Sequence, residues 1–327
     1  MSFTAEVKEE LSRVMPTRNC CPRAELSALM RVEGTIHIAG GERYRLEMAT
    51  ETAPVARKAI KLMHSLYGLA TELTVRRSVL HKTNNYLITV PSQPSLAPAL
   101  TDLGILDDSM GLAYGVPARL VRKDCCAVSY LRGAFLGGGF VADPHGDFHF
   151  ELTAETEQYA RDLVGLMSRF GISARVTRRR GLYAVYLKGA EPIVNFLALV
   201  GAHRALLRTE DVRILKSMRN DVNRLVNAET ANVQKSADAA LSQVEDIRFV
   251  VDMHGLEWLP PALRELAQLR LDHPDVSIRE LGEFAQPPLS KSAVYHRIRR
   301  IEALAADMRT RNAFEGSLDA GSDGREG

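Results

Sequence analysis

The sequence lacks the features that place a protein in a membrane. No apolar run approaches the roughly 20 residues that a membrane-spanning helix requires. The opening residues, MSFTAEVKEELSRV, follow an amphipathic helical pattern and contain no apolar signal-peptide segment. The chain also lacks a large excess of either charge, because its formal net charge is only +2. Any basic surface must therefore come from local clustering of basic residues. We therefore expect a cytoplasmic globular protein with two or three domains and no membrane partner.

Cysteine is scarce too, and its spacing matches no common metal or redox motif. The four cysteines form two adjacent pairs, Cys20–Cys21 and Cys125–Cys126. Adjacent cysteines do not easily close a normal disulfide bond, and no CxxC or nearby histidine spacing indicates zinc. In a reducing compartment this pattern favours free thiols near domain edges. We predict no metal site and no cofactor.

Three consecutive glycines stand in LRGAFLGGGF (131–140), and their spacing excludes two kinds of phosphate-binding loop. A Walker loop requires Lys followed by Ser or Thr after its last glycine, and neither follows Gly139. A dinucleotide fingerprint lies between a strand and a helix, whereas these glycines follow a helical pattern. They favour a glycine-rich helix end that leads into a strand, or a retained ligand contact.

The chain contains an internal repeat with an offset of about 103 to 105 residues. The segments of the first copy are LSALMRVEG (26–34), RLEMATET (45–52), ARKAIKLMHSLYG (56–68), ELTVRR (72–77) and NYLITV (85–90). The matching segments of the second copy are LRGAFLGGG (131–139), FELTAET (150–156), ARDLVGLMSRFG (160–171), ARVTRRR (174–180) and YAVYLKG (183–189). Each copy has the pattern of a helix, a hairpin, a second helix and a second hairpin.

The repeat predicts an α+β fold with duplicated αββαββ lobes related by a pseudo-twofold axis. Small residues at equivalent positions, Ala28 and Gly133, would let the first helices of the two lobes approach closely. This arrangement resembles the LAGLIDADG homing endonucleases, whose two signature helices pack at the lobe interface. In that family an acid at the eighth position of each signature helix holds the catalytic metals.

The resemblance assigns the two acid positions to Glu33 and Gly138. Two-metal cleavage of a phosphodiester needs carboxylates from both sides, and here only Glu33 is acidic. We therefore predict an N-terminal region without catalytic residues, in which Glu33 is a vestige, and a protein that is not an enzyme. A metal-dependent DNA nuclease that uses Glu33 is the alternative.

The segment 204–256 has apolar residues at helical spacing and no proline before Pro260, which predicts a long helical connector. Between Arg204 and Arg224 it is basic, so it is a solvated surface or a phosphate-contacting one. We name secondary DNA-contact candidates in this connector and in the second basic hairpin: Arg178, Arg179, Arg180, Lys216, Arg219 and Asn223.

The segment 257–310 predicts an all-α helix-turn-helix domain with its DNA-binding part at 277–310. Ser277 and Glu280 have the spacing of a capping box, and Ser290 can cap a last helix. In that helix an apolar face repeats at helical spacing: Val294, Ile298, Ile301 and Leu304. The DNA-contact candidates are Ser290, Lys291, Ser292, Tyr295, His296, Arg297, Arg299 and Arg300. A basic solvated helix in a protein-binding bundle is the alternative.

These patterns divide the chain into six segments. They are an N-terminal helix (1–20), repeat 1 (21–105), repeat 2 (125–203), the connector (204–256), the helix-turn-helix domain (257–310) and a disordered tail rich in Gly, Ser and Asp (313–327).

The combination of a degenerate LAGLIDADG-like pair and a helix-turn-helix resembles the WhiA family of DNA-binding regulators. The resemblance is carried by MSFTAEVKEELSRV, CCPRAELSALMR, LRGAFLGGGFVADP, NRLVNAETANVQKSADAA and LSKSAVYHRIRRI. It implies a sequence-specific transcription regulator of cell division, chromosome segregation and sporulation that binds double-stranded DNA in the nucleoid. It also implies a WhiB-type iron–sulfur partner, and the cysteine pairs and arginine content fit an actinobacterial origin. A division-associated scaffold is a further alternative.

Overall fold

The computed structural model describes residues 2–16, 18–39, 43–77, 84–179 and 181–319, with side chains described to residue 312. The chain divides into two compact units, Met1–Ser217 and Met218–Gly327. In the described part of the chain, no helix is long and apolar enough to cross a membrane.

The first unit contains the two predicted lobes. Helix α1 (Phe3–Arg13) precedes the first lobe, which consists of α2 (Cys21–Glu33), β1 (Gly34–Ile38), β2 (Tyr44–Thr50), α3 (Ala53–Tyr67), β3 (Glu72–Arg77) and β4 (Asn84–Val90). Helix α4 (Leu96–Asp102) and a 3₁₀ turn (Ala118–Leu120) follow. The second lobe consists of α5 (Asp124–Gly138), β5 (Gly139–Val141), β6 (His149–Ala154), α6 (Glu157–Ser168), β7 (Arg175–Arg179) and β8 (Leu182–Lys188), and α7 (Ala190–Val200) completes it.

Both sheets have the same topology, which confirms the duplicated αββαββ fold. The strand orders are β1-β2-β4-β3 and β5-β6-β8-β7, and all neighbouring strands are antiparallel. Period-two alternation sets the buried face of each sheet, since Leu46 and Met48 in β2 and Phe150 and Leu152 in β6 are buried while their neighbours along the strand are more exposed. Each sheet therefore has one face against the helices and one open face.

Helices α2 and α5 approach each other as closely as the small residues predicted. A Cβ atom added at Gly133 would lie 2.2 Å from the carbonyl oxygen of Glu25 and 3.0 Å from the Cβ of Ala28. At the far end of the pair, a Cβ at Gly138 would lie 2.7 Å from Cγ1 of Val32. The glycines of α5 therefore serve contact between the two lobes.

The predicted connector is one continuous helix, α8 (His203–His254). Every residue from 217 to 239 is exposed, so over this stretch none of the described residues elsewhere in the chain covers the helix. The boundary between the two units falls within α8.

The second unit contains the end of α8, a 3₁₀ turn (Leu256–Trp258) and three further helices, α9 (Pro261–Asp272), α10 (Ile278–Glu283) and α11 (Lys291–Asp319). Two small apolar clusters hold these helices together, one around Leu266 and Leu281 and one around Val250 and Leu263. Helix α11 continues past residue 313, where the disordered tail was predicted to begin. Ala313, Glu315 and Leu318 are strong helix formers within this stretch. Residues 320–327 of the predicted tail lie outside the described residues.

Candidate nucleic-acid interface

Side-chain caps determine where α10 and α11 begin. The N–H of Glu280 donates to Ser277 Oγ at 3.3 Å, and the N–H of Ser277 donates to the Glu280 carboxylate at 2.8 Å. This is the predicted capping box. Ser290 Oγ accepts the N–H of Ala293 at 3.2 Å, so Ser290 caps α11 as its position predicted.

The turns between the three helices are held by one glycine and one buried arginine. A Cβ at Gly282 would lie 2.4 Å from the carbonyl oxygen of Leu289, so only glycine lets the turn before α11 lie against α10. The fully buried Arg270 donates from Nη1 to the carbonyl oxygen of Val276 at 2.6 Å, and burial lowers the pKa of Arg270. Sequence reasoning missed Arg270, because an arginine in an amphipathic helix normally indicates a solvated position.

Helix α11 presents an apolar face to the domain and a polar face to solvent. Val294, Ile298 and Ile301 are buried, and Leu304 packs partly buried beside them. Seven of the eight DNA-contact candidates are exposed: Ser290, Lys291, Ser292, Tyr295, His296, Arg299 and Arg300. By helical periodicity, the candidates most nearly opposite the buried face are Ser292, His296 and Arg299, and Arg300 lies at the side of the same polar face.

Arg297 differs from the other candidates. Its side chain is 28% exposed, its Nη1 donates to the carbonyl oxygen of Ala262 at 3.3 Å, and it lies 3.9 Å from the Glu265 carboxylate. The reason is its position three residues after Val294, which turns it towards α9. Arg297 therefore supports the packing of α9 and α11.

The exposed basic residues of α11 differ in whether their charged groups already contact other side chains. Arg299 stacks on the Tyr295 ring at 5.5 Å and pairs with Glu302 at 3.2 Å. Lys291 and Arg300 make no ion pair or side-chain hydrogen bond within the described part of the chain. Their cationic groups are therefore the ones available to an anionic partner.

The second basic hairpin presents its arginines on opposite faces of the sheet. Arg178 stacks over the Tyr183 ring at 5.6 Å, whereas Arg179 pairs with Glu151 at 3.3 Å. Adjacent strand residues alternate between faces, so the two arginines cannot act on one surface. Arg180 lies outside the described residues.

The open face of each sheet also carries a neutralising carboxylate. Glu151 is flanked by His149 at 3.0 Å, and the equivalent Glu47 of the first lobe is flanked by His37 at 3.5 Å. Arg45 also pairs with Glu47. These carboxylates weaken the attraction of the sheet surface for phosphate.

The candidates in the connector also fall into two groups. Lys216 donates to the carbonyl oxygen of Gly146, and its ammonium lies 4.7 Å from the centre of the Phe148 ring, so it is engaged within the first unit. Arg219 and Asn223 are in the exposed stretch of α8.

Glu33, the acid position that the resemblance assigned, lies where α2 ends. Burial raises the pKa of Glu33 to about 7, although Lys8 acts against the rise. Opposite it, Gly138 offers no side chain, and the space beside Gly138 is taken by Val32 and Thr153. A second carboxylate therefore could not be restored at Gly138 without displacing these neighbours.

Lys8 of helix α1 provides the positive charge at this position, and sequence reasoning missed it. Its Nζ donates to the carbonyl oxygen of Gly137 at 2.8 Å. Burial lowers the pKa of Lys8, while the carboxylates of Glu33 and Glu51 oppose that shift. The ammonium thus lies at the foot of the paired helices, where a catalytic cation would need to bind.

Comparisons with known proteins match the whole of this architecture. Family models match at residues 19–106 (WhiA N-terminal LAGLIDADG-like domain), 127–219 (WhiA LAGLIDADG-like domain) and 222–305 (WhiA C-terminal HTH domain). The "probable cell division protein WhiA" of Heliobacterium modesticaldum is 48% identical over 306 residues, which cover 93% of this chain and 96% of the relative. The protein of the same name from Desulforamulus reducens is 46% identical over 318 residues, covering 97% and 99%.

A solved structure extends the match. The crystal structure of full-length WhiA from Thermotoga maritima aligns with a TM-score of 0.57 and 25% identity, over 94% of this chain and 99% of that one. The actinobacterial origin predicted from composition is contradicted, because the relatives are Firmicutes.

Proposed function

This chain belongs to the WhiA family, and from that premise we propose that it is a sequence-specific, double-stranded-DNA-binding regulator of cell division. The observation that carries the proposal is the exposed basic half of α11 on a packed helix-turn-helix. There the side chains of Lys291 and Arg300 form no ion pair or hydrogen bond with any other described side chain. The relatives' names support the link to cell division.

The chemistry of this face fits the major groove of DNA. The groove admits an α-helix, and its base edges present acceptors that Arg and Lys bind bidentately or singly. The N-terminal half of a recognition helix is the part that contacts base edges, and this is where the exposed candidates from Ser290 to Arg300 lie. Arg219 and Asn223 would add phosphate contacts from the connector.

Several finer roles belong to the same proposal. Membership of the family supports roles in chromosome segregation and sporulation, action on the nucleoid in the cytoplasm, and a WhiB-type partner.

We propose further that the lobes have no nuclease activity. The single remaining acid, Glu33, is opposed by Lys8, and the second acid position is filled by packing at Gly138. Two-metal cleavage needs carboxylates on both sides of the reacting phosphate. Cutting of plasmid DNA that requires Mg²⁺ and disappears in Glu33→Ala would contradict this proposal.

The DNA-binding proposal is tested with the full chain and fluorescently labelled duplexes, both random-sequence and enriched from sheared genomic DNA. Arg300→Ala should weaken binding by roughly 1–3 kcal/mol, about 5- to 150-fold, if Arg300 contacts a base. If Arg300 contacts a phosphate, the slope of the logarithm of affinity against the logarithm of salt concentration should instead fall in magnitude by about one.

Arg311→Ala is the matched control, since Arg311 lies in the same helix, is exposed, and is further along the chain than the recognition half. It should leave affinity unchanged. An affinity for DNA that is unaffected by Arg300→Ala and Lys291→Ala would refute the assigned face. Absence of DNA binding at low salt would favour the scaffold alternative.

A further inference from the structure

All four cysteines of the chain meet at one point. Cys20 and Cys21 lie at the beginning of α2, and Cys125 and Cys126 lie in the first turn of α5. Their four Sγ atoms are all within 4.8 Å of one another. The Sγ–Sγ distances are 3.9 Å for Cys20–Cys21, 3.9 Å for Cys20–Cys125 and 4.0 Å for Cys125–Cys126.

The cluster arises from the internal repeat. Cys20 and Cys125 occupy equivalent positions of the two copies, as do Cys21 and Cys126. The close packing of α2 against α5 at Gly133 brings the two helix starts together, at the end of the pair opposite Glu33 and Gly138. Sequence reasoning missed the cluster because it looked for ligands close in sequence, whereas each pair supplies half a site. The equivalence of the pairs under the repeat was the available signal.

The distances match a single tetrahedral metal ion. A zinc–thiolate bond of about 2.3 Å places the sulfurs of a tetrahedral site about 3.8 Å apart. A disulfide would need about 2.05 Å. A [2Fe–2S] or [4Fe–4S] cluster distributes its four thiolates over two or four irons, so thiolates on different irons must be further apart than two ligands of one ion. Here all four sulfurs lie within 4.8 Å of one another. Four soft thiolates in tetrahedral geometry favour zinc among the common divalent ions.

The surroundings suit the negative charge of such a site. Four thiolates and one Zn²⁺ ion carry a net charge of about −2. Arg18 Nη1 lies 3.6 Å from Cys125 Sγ and can neutralise part of it. The positive ends of two helix dipoles point at the same sulfurs. Cys21 and Cys126 are buried, each 4% exposed, whereas Cys20 and Cys125 are partly exposed, so one side of the site is closed and the other borders on solvent.

We propose that Cys20, Cys21, Cys125 and Cys126 bind one Zn²⁺ ion as a structural tetrathiolate site that fastens the two lobes together at the start of α2 and α5. Binding releases the thiol protons to solvent and involves no change of oxidation state. Such a link works in a reducing compartment, where a disulfide would not persist. The proposal does not depend on DNA binding.

The test uses the full chain expressed with added zinc and purified with a reductant and without chelator. Plasma mass spectrometry should find about one zinc per chain, and Co²⁺ replacement should give the thiolate-to-cobalt charge-transfer and intense d–d bands of tetrahedral sulfur coordination. Cys20→Ser and Cys125→Ser should each lower zinc retention at least tenfold. Asp124→Asn, beside Cys125 in the same helical turn but without a ligand sulfur, should retain zinc fully.

Thiol titration of the unmutated chain keeps the test decisive even if the serine variants do not fold. Ellman's reagent should react slowly with the zinc-loaded protein and rapidly with all four thiols after a strong chelator is added. Less than a tenth of an equivalent of zinc after loading, with thiols that react equally with and without chelator, would overturn the proposal. A disulfide found in the reduced preparation would overturn it as well.

Discussion

Single residues at the foot of α2 and α5 determine the charge and the packing at the two signature acid positions. Glu33 retains a carboxyl group, but burial favours its protonated form. Lys8 reaches Gly137 from another helix and supplies a positive charge at the same place. The space beside Gly138 is filled by Val32 and Thr153. Burial of Glu33, the charge of Lys8 and the packing beside Gly138 therefore all oppose the binding of a divalent cation at this place.

Glu33→Gln should remove a pH-dependent cost to stability. The folded-state pKa of Glu33, about 7, is above its ordinary value of 4.5. The carboxyl group therefore stays protonated to a higher pH in the folded protein than in the unfolded chain. The free energy of unfolding of the wild type should therefore fall as pH rises from about 4.5 to 7, and the penalty is fully present above pH 7. The variant should be more stable by about 2–3 kcal/mol at pH 8 and about equal near pH 4.5.

Urea unfolding followed by circular dichroism between pH 4.5 and 8 measures this difference. Glu72→Gln, an exposed carboxylate on β3, is the control and should change stability little at any pH. A Glu33→Gln variant that is equally destabilised at every pH would show that Glu33 is ionised and well paired in the folded protein.

Among the helices, α8 is unusual because its middle is supported by no packing. Residues 217–239 are exposed throughout, including apolar side chains such as Val222, Leu225 and Val233. Most helical stability in proteins comes from packing of an apolar face, and this stretch of α8 has no such packing within the described part of the chain. Helix α11 differs, since its apolar residues are buried against α9 and α10.

Backbone amides of 218–239 should consequently exchange with deuterium at least about 100-fold faster than those of α7, whose apolar residues are buried. Hydrogen–deuterium exchange mass spectrometry of the free full chain measures both segments in one experiment. Equal protection in the two segments would mean that the middle of α8 is covered in solution.

At the scale of the whole molecule, local periodicity and the repeat predicted the order of elements. Alternating apolar residues predicted the hairpins, helical spacing predicted α3 and α6, and the match between the copies predicted two similar lobes. The capping box at Ser277 and the apolar face of α11 were likewise readable from spacing of three and four residues. Apart from the match between the copies, each of these features depends on neighbours within about one helical turn or one hairpin.

The features that escaped prediction depend on contacts between distant segments. Lys8 meets Gly137, Arg18 meets Cys125, and the cysteine pairs meet each other only after α2 and α5 have packed. Arg297 was grouped with the DNA contacts because its residue type fits them, but the packing of α9 determines its direction. Residue type predicts the chemistry that a side chain can take part in, whereas the fold determines which groups that side chain contacts.

The central claim is that this chain regulates by binding DNA through the exposed half of α11. The most direct test is to crosslink the protein to DNA in its host cells and to sequence the bound fragments. The unmutated chain is compared with the Lys291→Ala/Arg300→Ala double variant at equal protein level. We expect discrete sites that share one sequence motif, with recovery at least about tenfold lower in the double variant. A uniform background for the unmutated chain, or equal recovery of the same sites by the variant, would contradict the claim.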